Sequence, residues 1–150
     1  GHSWAKECAL TVIRGPASKH SPRHIQTLLG AAKNTRLLKS IPQKAMLRWM
    51  QWADLAICAG GNTLFELACT GTPSISIASE PFEEETVLRM QKLGVCLGIP
   101  FHRKVSEKKL SSHIKTMRDY SIRRSQSITG KELVDGKGVE RIVTRILTIV

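Results

Sequence analysis

The chain has 150 residues, of which 41% are hydrophobic and 5% aromatic, and its 23 Lys and Arg against 12 Asp and Glu give a formal charge of +11. That length is one domain's worth, enough for a real core, and apolar runs no longer than a strand exclude a membrane-spanning segment. The cationic excess fits a polyanionic partner (nucleic acid, an anionic membrane or a phosphorylated ligand) or a diffuse basic surface, since the basic residues are scattered along the whole chain.

Cys8, Cys58, Cys69 and Cys96 form no CxxC pair and have no histidine at ligand spacing. They read as free thiols of a reducing cytoplasm, with no metal site and no cofactor expected. No signal-peptide pattern opens the chain, so a cytoplasmic location is expected.

In chain order, "CALTVIR" (8–14) reads as a buried strand, followed by the loop "GPASKHSP". Ser21 caps a helix that has Pro22 at its first position and runs to about residue 33. "TRLLKS" (35–40) is a second strand, and "PQKAMLRWMQW" (42–52) a short helix with Met46, Leu47 and Met50 on one face. "DLAIC" (54–58) is a third strand, with a helix over 62–70 ended by Gly71. "PSISIA" (73–78) is a fourth strand, "FEEETVLRMQKL" (82–93) an amphipathic helix stopping at Gly94, and "VCLGI" (95–99) a fifth strand. The remainder is helical with a break at "DGKG" (135–138). Strands alternating with helices, with no hairpin signal, predict a doubly wound α/β domain: a Rossmann-like parallel sheet with helices on both faces.

Ligands of such sheets bind beyond the carboxyl ends of the strands. "AICAGGNTLFEL" puts a strand end, a glycine pair and a helix start in that order. Gly60 and Gly61, lacking Cβ atoms, let an anion approach backbone N–H groups. The amides of Asn62, Thr63 and Leu64 then point along the positive end of the helix dipole. Asn62 or Thr63 can cap the helix or bond a phosphate oxygen. This is neither a P-loop nor a GxGxxG fingerprint, and a tight turn that merely saves space competes with the phosphate reading. Glu66, one helical turn after Thr63, suits the two hydroxyls of a ribose attached to a diphosphate; as a first-turn carboxylate it also suits the dipole alone.

"ADLAICAGGNTLFELACTGTPSISI" resembles the nucleotide-binding segment of GT-B enzymes, above all the UDP-sugar hydrolase of pseudaminic acid biosynthesis and its spore-coat polysaccharide relatives. The lipid II-forming glucosaminyltransferase is more distantly similar. "MLRWMQWADLAI", "LRMQKLGVCLGI" and "LVDGKGVERIVTRIL" resemble further pieces of that domain, so the likeness covers about residues 8 to 148. It implies a single UDP-sugar-binding domain belonging to a two-domain enzyme. Gly60, Gly61, Asn62 and Thr63 would hold the UDP diphosphate and Glu66 the ribose. The segment from Ile41 to Met46 would border the uracil, although by spacing Met46 reads as core.

Two departures qualify the likeness. Related enzymes carry an Asn-Gln or Gln-Gln pair where this chain has Phe82-Glu83, followed by Glu84 and Glu85. Carboxylates suit a helix start but repel a diphosphate, which leaves sugar recognition open. The resemblance further implies an N-terminal domain, with the catalytic histidine, and a central first strand outside this chain. No catalytic residue is assigned here: His20, His24, His102 and His113 occupy no matching motif and read as surface residues. Alone, the chain is expected to be inactive and to supply the leaving-group half of a hydrolase site.

A glycosyltransferase acting on a membrane-bound acceptor is the rival enzyme reading, with an anionic membrane surface as partner. A nucleic-acid partner is disfavoured by the scarcity of aromatic residues and the absence of a stacking platform. Without the central strand, strand 8–14 is expected to pair directly with strand 54–58.

Overall fold

A computed structural model of the chain describes residues 8–16, 18–30, 34–101 and 105–149. The architecture is parallel α/β and Rossmann-like, organised as two compact units, Gly1–Met46 and Leu47–Val150.

In the first unit β1 (Leu10–Arg14) runs parallel to β2 (Thr35–Lys39), with Leu10 opposite Thr35 and Arg14 opposite Lys39. Between them α1 (Pro22–Leu29) begins as expected: Ser21 accepts a hydrogen bond from the His24 N–H, and Pro22 occupies the first turn. Arg14 organises the carboxyl end of the pair. Its carbonyl accepts from Ser40 N–H, and its guanidinium donates to the carbonyls of Ser18 (2.6 Å) and His20 (2.9 Å). Among the described residues no side chain of this unit is buried, because two strands and one helix cannot enclose a core.

The core lies in the second unit. After α2 (Gln43–Trp52), β3 (Ala56–Ala59), β4 (Ser74–Ile77) and β5 (Cys96–Ile99) form a parallel sheet in the order β3-β4-β5. Alternation along β4 sends Ile75 and Ile77 to one face and Ser74 and Ser76 to the other. Ile75 and Ile99 pack with Met117, Leu110, Ile114 and Ile122 from α5 (Glu107–Thr116), α6 (Tyr120–Leu133) and the turn between them. On the other face Leu64 and Ala68 of α3 (Asn62–Thr70) meet Val87 and Met90 of α4 (Glu84–Lys92), together with Cys96 and Ala78. The small residues Ser76 and Gly98 on that face let the helices come close. A final helix, α7 (Gly138–Leu147), follows the expected break.

Side chains complete the sheet's backbone bonding. Gln126 accepts from the Ser74 N–H (3.0 Å), and Gln91 accepts from the Gly98 N–H (2.7 Å). His113 Nε2 lies 3.2 Å from the Gly98 carbonyl, so this residue is half-buried against β5 rather than a surface histidine. His20 and His24 are exposed and stacked, with ring centroids 5.7 Å apart. His102 lies outside the described residues.

The expected pairing of β1 with β3 is not formed: β1 pairs with β2 and β3 with β4, in two separate sheets. Each strand instead pairs with the one that follows it across a single helical crossover within its own unit. Within its own sheet β3 stands at one end of the order β3-β4-β5.

α6 packs on α3 at Gly130, where an added Cβ would stand 2.9 Å from the Ala68 carbonyl oxygen and 3.1 Å from its Cα. Gly130→Ala should therefore lower stability in denaturant melts by about 1–3 kcal/mol through overpacking. Gly138→Ala, whose Cβ meets nothing within 4 Å, serves as the neutral control. A neutral Gly130→Ala would contradict the close helix contact.

Candidate functional site

The β3–α3 turn lies at the carboxyl end of the sheet, where the parallel topology predicts a ligand. α3 starts at Asn62 with Gly61 as its N-cap, and no side chain caps it. Neither Asn62 nor Thr63 plays the capping role open to it, which leaves both side chains available. The Leu64 N–H donates to the Gly61 carbonyl (3.0 Å) and is not free, a correction to the expected trio of open amides. Among the described residues the N–H groups of Asn62 and Thr63 have no partner. Both residues are exposed, as is Glu66.

The helix sets the direction of these groups. Leu64, Leu67 and Ala68 face the core, so Asn62 and Glu66, four residues apart, share the opposite flank. Helical side chains lean toward the N-terminus, which carries Glu66 back toward the two open amides. Gly71, at φ 73°, ends the helix in the left-handed conformation expected of a glycine there.

Packing accounts for the glycine pair in part. A Cβ on Gly60 would stand 2.4 Å from Val87 Cγ2 and 3.0 Å from Glu83 Cβ, while one on Gly61 would stand 3.2 Å from Glu83 Oε1. The first turn of α4 is thus seated on the glycines, and the turn needs them whether or not a ligand binds.

Of the two residues expected near the sugar, Phe82 is 79% exposed and Glu83 is 9% exposed. Both belong to a short 3-10 turn, Pro81–Glu83, leading into α4. Glu83 Oε2 accepts from the Ser79 N–H (2.8 Å) and the Ser79 hydroxyl (2.7 Å). Desolvation pushes its carboxyl pKa upward. The bonds from Ser79, aided by the backbone N–H groups of Glu80 and Gly60, outweigh that and hold it below the ordinary glutamate value. Ile41 and Met46 are half-buried and belong to the first unit.

Cys58 and Cys96 pack in the core. Burial pushes Cys58 up to about 11 and Cys96 up to about 12, so neither is a nucleophile near neutral pH. Among the described residues no cluster of three His, Cys, Asp or Glu could hold a metal. No helix there is long and apolar enough to cross a membrane. An open groove along α7, lined by Lys137, Glu140, Arg141 and Thr144, has no buried polar group and is not a comparable site.

No protein-family model matches the chain. It is similar to the spore coat polysaccharide biosynthesis protein SpsG of Bacillus subtilis (strain 168), with 29% identity over 143 residues covering 95% of this chain and 41% of SpsG. The chain spans about two fifths of that relative's length.

Glu83 was legible only as a like charge near a diphosphate; its burial against the glycine turn was not. Its depressed pKa sets a sign for pH dependence. The carboxylate contributes stability above the ordinary value of 4.5, and that contribution is lost as pH falls through the native value. Denaturant melts between about pH 7 and about pH 3 should show wild type more stable than Glu83→Gln near neutrality, with the gap closing in acid. A gap independent of pH would contradict the Ser79–carboxylate bonding.

Proposed function

We propose that this chain is the UDP-sugar-binding part of a two-domain enzyme of surface-polysaccharide biosynthesis, a hydrolase that releases UDP from its nucleotide sugar. The observation that carries the reading is the uncapped start of α3, with two unpartnered N–H groups at the carboxyl end of β3. The similarity to SpsG, a protein named for spore coat polysaccharide biosynthesis, supports the biological setting.

In this reading Gly60, Gly61, Asn62 and Thr63 hold the diphosphate, and the dipole of α3 offsets its charge. Glu66 accepts hydrogen bonds from the ribose hydroxyls. Phe82 and Glu83 border the sugar. As the bond between the anomeric carbon and the phosphate oxygen breaks, negative charge grows on the departing UDP. N–H groups aimed at that oxygen stabilise it without reorganising. Water activation belongs to the domain that lies outside this chain.

A second reading keeps the same nucleotide site and replaces water with a membrane-bound acceptor. The formal charge of +11 favours it, because cationic surfaces are drawn to anionic lipid. Such a transferase would work at the inner face of the membrane.

Glu66→Ala tests the nucleotide reading, because only a nucleotide carries a ribose. Calorimetry should find UDP weakened about tenfold, the loss expected for hydrogen bonds to a charged group, with inorganic diphosphate unchanged. Equal losses for both ligands would remove the ribose role.

A further inference from the structure

The last helix adds no side chain to the core. α7 is fixed only where it begins. Gly136 lies against α3, where an added Cβ would stand 3.2 Å from Cys69 Sγ. Asp135 accepts from the Lys137 N–H (3.0 Å) and pairs with Arg141. Beyond that anchor the helix buries no residue. Val139, Ile142, Val143 and Ile146 recur at the spacing of one helix face and are 75%, 62%, 48% and 56% exposed. Leu147 and Ile149, also exposed, widen and lengthen the stripe. Arg141 and Arg145, four residues apart, run along one flank of it, while Glu140, Thr144 and Thr148 share the side turned away.

We propose that α7 is a membrane-docking element: its aliphatic stripe enters the interface of an anionic lipid bilayer, and Lys137, Arg141 and Arg145 meet the headgroups. Aliphatic surface gains by leaving water. A short amphipathic helix with a basic rim does so by lying in the plane of the interface, stripe inward and cations at headgroup level. Charge selects this occupant. With a formal charge of +11 the chain repels a second copy of itself and is drawn to anionic headgroups. Size points the same way. Six apolar side chains over residues 139–149 fall far short of the roughly 20–30 residues a side that a stable protein interface uses, whereas a bilayer accepts a narrow stripe. A nucleic acid would match the arginines but leave the aliphatic face in water. The inference stands apart from what the glycine turn binds and holds for hydrolase and transferase alike.

Co-sedimentation of the full chain with vesicles tests this, using phosphatidylcholine alone and phosphatidylcholine mixed with phosphatidylglycerol. Wild type should sediment with the mixed vesicles and stay in solution with phosphatidylcholine. Ile142→Asp puts a charge in the stripe and should weaken binding to the mixed vesicles about tenfold. Arg145→Glu should weaken it about tenfold or more, because each basic residue near the surface is worth about fivefold. Both positions are exposed, and thermal melts verify that the variants fold. Lys108→Glu makes the same charge change on α5, which packs on the sheet face opposite α3, and should cost less than about threefold. Absence of wild type from the mixed-vesicle pellet would overturn the inference, as would full binding by Ile142→Asp. Equal losses from Lys108→Glu and Arg145→Glu would overturn it too, in favour of a diffuse basic surface. A solution dimer that Ile142→Asp dissolves, without vesicle binding, would give the stripe to a second copy instead.

Discussion

The first turn of α4 sits directly on the glycine pair of the β3–α3 turn, and much of the second unit follows from that contact. A Cβ at Gly60 would collide with Val87 at 2.4 Å, so α4 reaches its seat only over glycine. With α4 there, Val87 and Met90 close the core against Leu64 and Ala68, and Gln91 reaches the Gly98 N–H on β5. The same seating presses Glu83 against the turn. A packing constraint therefore fixes both the stability of this layer and the electrostatics of its open end.

Those electrostatics are a balance of opposite signs. The start of α3 offers two unpaired N–H groups and the positive end of a dipole. Glu83 offers a fixed negative charge beside them.

Much of this was legible in the sequence because it is local. Gly71 ends α3 where a left-handed residue is needed, Ser21 and Pro22 open α1, and every expected strand formed within a few residues of its bounds. What was not legible depends on which elements meet. Local pattern predicts strands, not partners, so the separation into two sheets could not be read from it. Glu83 looks like any first-turn carboxylate until Ser79 and the glycines are brought to it. The C-terminal helical region divides at 117–119, where Arg123 donates to the carbonyls of Met117 (2.7 Å) and Arg118 (2.9 Å). Asp119, which accepts from the Ser121 N–H and hydroxyl, is the helix-start residue that marks this break.

The central claim is that the open amides of α3 receive the diphosphate of a nucleotide. Backbone amide chemical shifts followed by NMR during a UDP titration test it most directly. The account predicts the largest saturable shifts at Asn62 and Thr63, with smaller ones through Gly60, Gly61 and Glu83. Saturable binding whose shifts fall elsewhere, with Asn62 and Thr63 unmoved, would contradict it.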